Sequence, residues 1–304
     1  MTTLASGITF ADLRFQGQPR IIAVGMLQGP DGIALVDPGP STTLPVLRSE
    51  LAALGASVQD ISALLVTHIH LDHSGVAGTL LRENPRIKVY VHQVGAPHLV
   101  DPSKLVASAG RLYGDDMERL WGEVVPVAAP AIVPLSGGER IAAGGRQWDV
   151  AYTPGHASHH VSFFSADTGI AFVGDTAGVR VRPDGFVLPP TPPPDIDVAL
   201  WMASLSTIEG WHPQSLFLTH FGPSASVFPH LSELREHLQL MERLAREAMA
   251  GVSEDGREGW FIEQLQRDLR RRMSEADLRS YELAGRFDLN WRGISRYVMK
   301  RPNA

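Results

Sequence analysis

The sequence predicts an α/β fold with a helical region at its C-terminal end. Three features lead there. Short apolar runs bounded by turn residues alternate with helical periodicity between Ile21 and Thr219, histidines and aspartates collect just beyond the ends of those runs, and strand signals vanish from Leu231 onward. With 304 residues, 44% of them hydrophobic and 20% charged, the chain has the profile of a loop-rich globular protein rather than a disordered or collagenous one. That length allows one large domain or two ordinary ones and buries roughly three-quarters of the unfolded surface without crosslinks.

The first element in the chain is a hairpin. Ile21–Leu27 and Ile33–Val36 are extended apolar stretches separated by Gln28-Gly29-Pro30-Asp31-Gly32. Ser41 is placed to cap a helix whose apolar positions Leu44, Leu47, Leu51 and Leu54 share one face and which ends near Gly55. Ala63–Thr67 reads as a buried strand, Gly75–Asn84 as a short helix stopped before Pro85, and Ile87–His92 as the strand that completes the unit. Residues 93–130, rich in small and polar side chains, are expected to form a helical insertion with loops. The turn pairs Gly137-Gly138 and Gly144-Gly145 introduce strands at Gln147–Thr153, Val161–Ser165 and Gly169–Val173. Five prolines among residues 189–194 make a stiff polyproline-type segment. A helix capped by Asp195 or Asp197 follows, with Trp201, Leu205 and Ile208 on one face, and then a last strand at Leu216–Thr219. Leu234, Leu238 and Met241, then Leu265 and Leu269, then the cap signal Ser274-Glu275-Ala276-Asp277 describe the C-terminal helices.

Composition excludes several kinds of chemistry. There is no cysteine, so a thiolate nucleophile, a dithiol redox pair, a cysteine-ligated zinc and a cysteine-held iron–sulfur cluster are all ruled out, and any metal must sit on nitrogen and oxygen. A net charge of −6 gives no help to non-specific binding of nucleic acid or anionic lipid, so neither is expected as a partner. Gly7, Asp12 and Arg14 interrupt any N-terminal apolar stretch of signal-peptide type, and no run approaches the ~20 apolar residues of a membrane span. A cytoplasmic protein is the expectation.

The dominant chemical signal is Thr67-His68-Ile69-His70-Leu71-Asp72-His73, directly after the apolar run Ala63–Val66. Imidazole and carboxylate together suit zinc, manganese or iron. Three further candidates also follow strand signals: His156 after Thr153-Pro154-Gly155, Asp175 after Gly174, and His220 after Thr219. Loops at strand ends converge on shared clefts, so residues from four such ends can build one site. Seven ligands are too many for one ion and suit two, with a carboxylate between them.

This set resembles the metallo-β-lactamase superfamily of hydrolases. The matching motifs are His-X-His-X-Asp-His at His68, His70, Asp72 and His73, Thr-Pro-Gly-His at His156, Gly-Asp-Thr at Asp175 and Leu-Thr-His at His220, with gaps of 83, 19 and 45 residues between His73, His156, Asp175 and His220. The resemblance covers roughly residues 20–225. It implies a four-layer αβ/βα sandwich, a first metal on His68, His70 and His156, a second on Asp72, His73 and His220, and Asp175 bridging them. Asp37 in Leu-Val-Asp-Pro-Gly matches the family's early aspartate, which supports the site. The domain expectation is then residues 1–230 as the catalytic domain and 231–304 as a helical region that packs on it, caps the cleft or mediates a homodimer. His159 and His160 are expected to support the site or the core, while His92 and His98, and likewise Tyr113, Arg180 and Arg182, are weaker candidates for contact with substrate.

The implied chemistry is hydrolysis by a hydroxide shared between two divalent ions, zinc first and manganese or iron as alternatives, with Asp72 orienting the nucleophile or carrying its proton. A serine hydrolase is disfavoured because Gly222-Pro223-Ser224-Ala225-Ser226 lacks the closing glycine of a nucleophile elbow. A small-molecule thioester, lactone or other ester is the leading substrate class, as in the glyoxalase II-like and lactonase-like branch. A phosphodiesterase of the same fold and a mononuclear iron persulfide dioxygenase are the rivals.

Overall fold

The computed structural model describes residues 1–301, and the last three residues of the region expected at 231–304 lie outside it. Two mixed sheets face each other. The first has seven strands in chain order: β1 (Thr2–Ala5), β2 (Ile8–Asp12), β3 (Ala23–Gly29), β4 (Gly32–Val36), β5 (Ile61–Leu65), β6 (Lys88–His92) and β7 (Ile132–Leu135). Strands β1 to β4 run antiparallel to one another, and β4 to β7 pair in parallel. Helices α1 (Leu44–Ala53), α2 (Leu71–Ser74), α3 (Ala77–Glu83), α4 (Ala96–Val100), α5 (Ser103–Tyr113) and α6 (Met117–Trp121) lie between these strands in the chain.

The second sheet has six strands: β8 (Arg140–Ala143), β9 (Arg146–Tyr152), β10 (Val161–Ser165), β11 (Ile170–Phe172), β12 (Ser215–Leu218) and β13 (Gly222–Ser224). Only β11 and β12 pair in parallel, joined through α7 (Val198–Gly210). The chain ends in α8 (Val227–Gly251), α9 (Arg257–Arg270), α10 (Glu275–Gly285) and α11 (Phe287–Lys300).

Period-two alternation explains the layers. On β4, Ala34 and Val36 enter the core between the sheets while Ile33 and Leu35 face the helices of the first half. On β12, Phe217 points between the sheets and Leu216 and Leu218 face the C-terminal helices. Each sheet is thus buried on both faces, which gives helix, sheet, sheet and helix layers: an αβ/βα sandwich with a C-terminal helical region. Trp148, Phe163, Phe172 and Phe217 fill the central layer. The outer apolar cluster on the second sheet runs from Phe164 to Val298, so α8 to α11 share one core with the strands they cover. Among the described residues no helix is long and apolar enough to cross a membrane.

Several local expectations are corrected. Ser41 caps no helix: it opens a 3-10 turn, and its hydroxyl donates to the Glu123 carbonyl at 2.6 Å, tying the insertion to the helix α1 entry. Asp197 caps α7 by accepting from the Leu200 N–H, whereas Asp195 accepts from the Ser158 hydroxyl. The helix expected at Gly75–Asn84 is found as α3, and the short helix α2 that precedes it, Leu71–Ser74, carries Asp72 and His73 and was not expected.

Candidate metal centre

All seven residues singled out by the sequence meet in one cleft. His68 and His70 follow β5, Asp72 and His73 ride on α2, His156 follows β9, Asp175 follows β11 and His220 follows β12, so the cleft draws on both sheets. His68, His73, His156, Asp175 and His220 are buried, while the Asp72 carboxylate keeps 21% of its surface open.

Two triplets stand out. His70 Nδ1 lies 3.0 Å from both His68 Nε2 and His156 Nε2. Asp72 Oδ2 lies 3.3 Å from His220 Nε2 and 3.8 Å from His73 Nε2. Asp175 stands between them, with Oδ2 3.4 Å from His156 Nε2 and Oδ1 3.3 Å from His73 Nε2 and 3.5 Å from His220 Nε2. Each triplet keeps its ligand atoms within 4.8 Å of one another. Tetrahedral coordination at about 2.0–2.1 Å separates ligand atoms by about 3.3 Å, so the spacing fits metal ions. His73 Nε2, His220 Nε2 and Asp175 Oδ1 are buried with no hydrogen-bond partner, which a protein interior rarely tolerates unless a cation is to be held.

The opposite ring nitrogens explain which atoms face the cleft. His73 Nδ1 donates to Asp37 Oδ2 at 2.8 Å, His156 Nδ1 to the Pro190 carbonyl at 2.8 Å and His220 Nδ1 to the Ile21 carbonyl at 2.6 Å, leaving each Nε2 lone pair inward. Asp37 is fully buried, and its carboxylate also accepts from the Thr67 N–H and from the Thr67 and Thr219 hydroxyls. It therefore binds together the ends of β4, β5 and β12.

Charge is sorted to suit a cation. Burial, reinforced by His73 and the other neighbouring imidazoles, holds His68 well below its usual pKa, and burial with His156 brings His70 down to about 4. Burial would raise the Asp72 carboxyl, but His73 and His220 outweigh it and bring it down to about 2. Burial likewise opposes ionisation of Asp175, yet His73, His220 and His156 hold it well below the usual range. His68 and His70 are thus neutral beside ionised carboxylates, whereas at His73 and His220 burial is outweighed by Asp175 and the neighbouring aspartates, which hold both above the usual histidine range, so that a divalent ion held there would displace protons from them.

The weaker candidates divide. His98, Tyr113 and His159 line the cavity above the centre. His160 bonds through Nδ1 to the Thr153 and Thr176 hydroxyls, and its ring stacks on His68 with centroids 5.0 Å apart. His92 lies flat on Tyr152 away from the cavity. Arg180 and Arg182 are outside it too: Arg180 is buried and donates to the Pro223 carbonyl, and Arg182 pairs with Asp277. Sequence reasoning missed the Pro190 and Ile21 carbonyls that orient His156 and His220, since backbone acceptors leave no mark in residue type.

The fold and the site together define an α/β protein with a histidine–aspartate cluster able to hold metal at the strand ends of paired mixed sheets. The chain belongs to the metallo-beta-lactamase superfamily, whose family model matches residues 17–220. It is 30% identical over 226 residues to the metallo-beta-lactamase fold-containing protein ST1585 of Sulfurisphaera tokodaii, covering 73% of this chain and 79% of that protein. It is 31% identical over 151 residues to a hydroxyacylglutathione hydrolase of a Synechococcus species, a match spanning 50% of this chain and 47% of that enzyme. In structure it is similar to the metallo-beta-lactamase family protein TTHA1429 of Thermus thermophilus, with a TM-score of 0.72 at 21% identity over 99% of this chain and 95% of that one.

Proposed function

We propose that the protein is a binuclear metal-dependent hydrolase that cleaves a thioester, lactone or other ester of a small molecule. The observation that carries this reading is Asp175, which turns one oxygen toward His156 of the first triplet and the other toward His73 and His220 of the second. In this reading His68, His70 and His156 hold one ion, Asp72, His73 and His220 hold another, and Asp175 is shared. Zinc suits such nitrogen and oxygen ligands, as do manganese and iron. Bound divalent ions would supply Lewis acidity and bring the pKa of water to about 7, so that no side-chain nucleophile is needed.

The chain's own residues supply the rest. Asp72 is ionised and partly open to the cavity, so it can accept a hydrogen bond from the attacking water and orient it. Asp37 keeps the His73 Nδ1 proton in place, so that Nε2 stays a donor to metal. The match to a hydroxyacylglutathione hydrolase favours thioesters and esters among the reactions open to this fold.

The test is a screen of the purified, metal-quantified protein against thioesters, lactones, phosphodiesters and β-lactams. Two equivalents of metal with turnover of thioesters or esters are expected. A single iron with oxygen uptake would overturn the reading in favour of a dioxygenase, and exclusive turnover of phosphodiesters would replace the substrate class.

A further inference from the structure

A cavity of about 490 Å³ opens above the centre, within the size range of sites that enclose small ligands. Its walls come from parts of the chain that the seven site residues do not explain. Leu105, Ala109 and Leu112 recur at i, i+4 and i+7 on α5 and present one apolar face to it. Leu283 and Leu289, on either side of the junction of α10 and α11, and Pro192 of the proline segment also line it.

The charge at this wall is mostly cancelled. Arg286 makes two hydrogen bonds of 2.9 Å to Asp288, and Arg119 is held by Asp116 and by the Gln16 side-chain carbonyl. Lys104, exposed on α5, makes no ion pair among the described residues. A polyanionic ligand would need several free cations, whereas Lys104, itself exposed, is the one lysine or arginine of the lining without an ion pair among the described residues, beside paired arginines and hydrocarbon. Three hydroxyls interrupt the pattern, those of Ser108, Tyr113 and Ser158, the last of them donating to Asp195. Tyr113, the last residue of α5, is fixed edge-on against Trp121 with centroids 5.0 Å apart and lies under the Arg286 guanidinium, 5.9 Å from its ring. Its hydroxyl has no hydrogen-bond partner among the described residues, and it lines the same cavity as Asp72 and Asp175.

We propose that this cavity receives the apolar acyl chain of the substrate and that the Tyr113 hydroxyl takes its carbonyl oxygen, so that the preferred substrates are esters, thioesters or lactones with a hydrophobic straight-chain acyl side. The assignment rests on the hydrolase reading above and narrows it.

Binding of uncleavable straight-chain 2-alkanones to the full chain, followed by titration calorimetry with zinc and after chelation, tests it without turnover. Affinity is expected to rise about fourfold per methylene until the cavity is filled and to level off beyond that. Leu112→Glu should flatten that slope, and Leu105→Glu, at the other end of the same helix face, gives a second reading if the first fails to melt cooperatively. Tyr113→Phe should weaken every ketone by the same roughly threefold to tenfold factor and leave the slope intact, which loss of packing alone would not do. A wild-type affinity that ignores chain length, or a slope unchanged in both folded glutamate variants, overturns the pocket. Unaltered ketone binding by Tyr113→Phe overturns the role of the hydroxyl. Ester hydrolysis with no chain-length dependence removes the pocket and keeps the hydrolase. A binding slope without hydrolysis of the matching esters removes the hydrolase and keeps a site for apolar chains.

Discussion

Asp37 directs the centre without lining the cavity. It sits at φ 49°, the left-handed region that an aspartate tolerates better than most side chains, and this bend points its carboxylate back at His73, Thr67 and Thr219. Replacing it by asparagine keeps the shape and removes the anion that supports the His73 imidazole. Asp37→Asn is therefore expected to lower metal affinity by about 10–100-fold, read by competition with a chromophoric chelator. Wild-type affinity in that variant would show that His73 needs no such support. Asp175→Ala acts on the cleft itself and should abolish ester hydrolysis while the circular dichroism spectrum and cooperative melting persist. Full activity in that variant refutes the shared carboxylate.

At the scale of elements, helix α8 carries a pH dependence independent of the centre. His230 is buried and its Nε2 donates to the Ala177 carbonyl at 2.7 Å, while burial brings its pKa down to about 4 from an unfolded value near 6.5. A depressed folded pKa means that the neutral form is favoured on folding. The resulting stability is complete above pH 6.5 and is lost as pH falls toward 4, by an amount on the order of 3 kcal/mol. Urea denaturation at pH 7 and pH 5 should show a larger loss for the wild type than for His230→Asn, and equal losses would remove His230 as the cause. Element by element, legibility followed burial pattern. Strands β4, β5, β10 and β12 were readable because alternate residues face two apolar layers. Strands β1, β2 and β13 were not among the expected elements: β1 and β13 are short sheet edges with small or polar residues, and Pro223 in β13 is tolerated there because an edge strand leaves N–H positions unpaired. The seven site residues were legible because each is a chemically distinctive side chain just past a strand. The cavity was not, since Leu105, Leu283 and Pro192 meet only after the chain has folded.

Across the whole molecule, the apolar cluster that includes Phe164, Trp201, Leu234, Phe261, Tyr281 and Ile294 joins the second sheet to every C-terminal helix. A shared core of this kind predicts one cooperative unfolding transition for the full chain, in which the strands and α8 to α11 melt together. Calorimetry that resolved two separate transitions would show instead that the C-terminal helices are an independent unit. A chain ending at Gly251 should aggregate, because it would expose the face of α8 that Phe261, Leu265 and Ile294 cover.

The proline segment also connects a distal helix to the chemistry. The Pro190 carbonyl accepts a hydrogen bond from His156 Nδ1, and its neighbour Thr191 donates its N–H to the Asn290 side chain of α11 at 2.7 Å and its hydroxyl to the Asn290 carbonyl at 3.1 Å. Gly293, one turn further on, lets the backbones touch, since a Cβ there would lie 2.0 Å from the Thr191 carbonyl oxygen. Asn290→Ala is thus expected to loosen metal binding by less than Asp37→Asn but measurably in the same chelator titration, and an unchanged affinity would show that α11 plays no part. If affinity does fall, inheritance has a second handle on the centre: mutations in the last helix can retune how firmly an ion is held, and with it the protein's appetite for scarce metal, while every ligand stays the same.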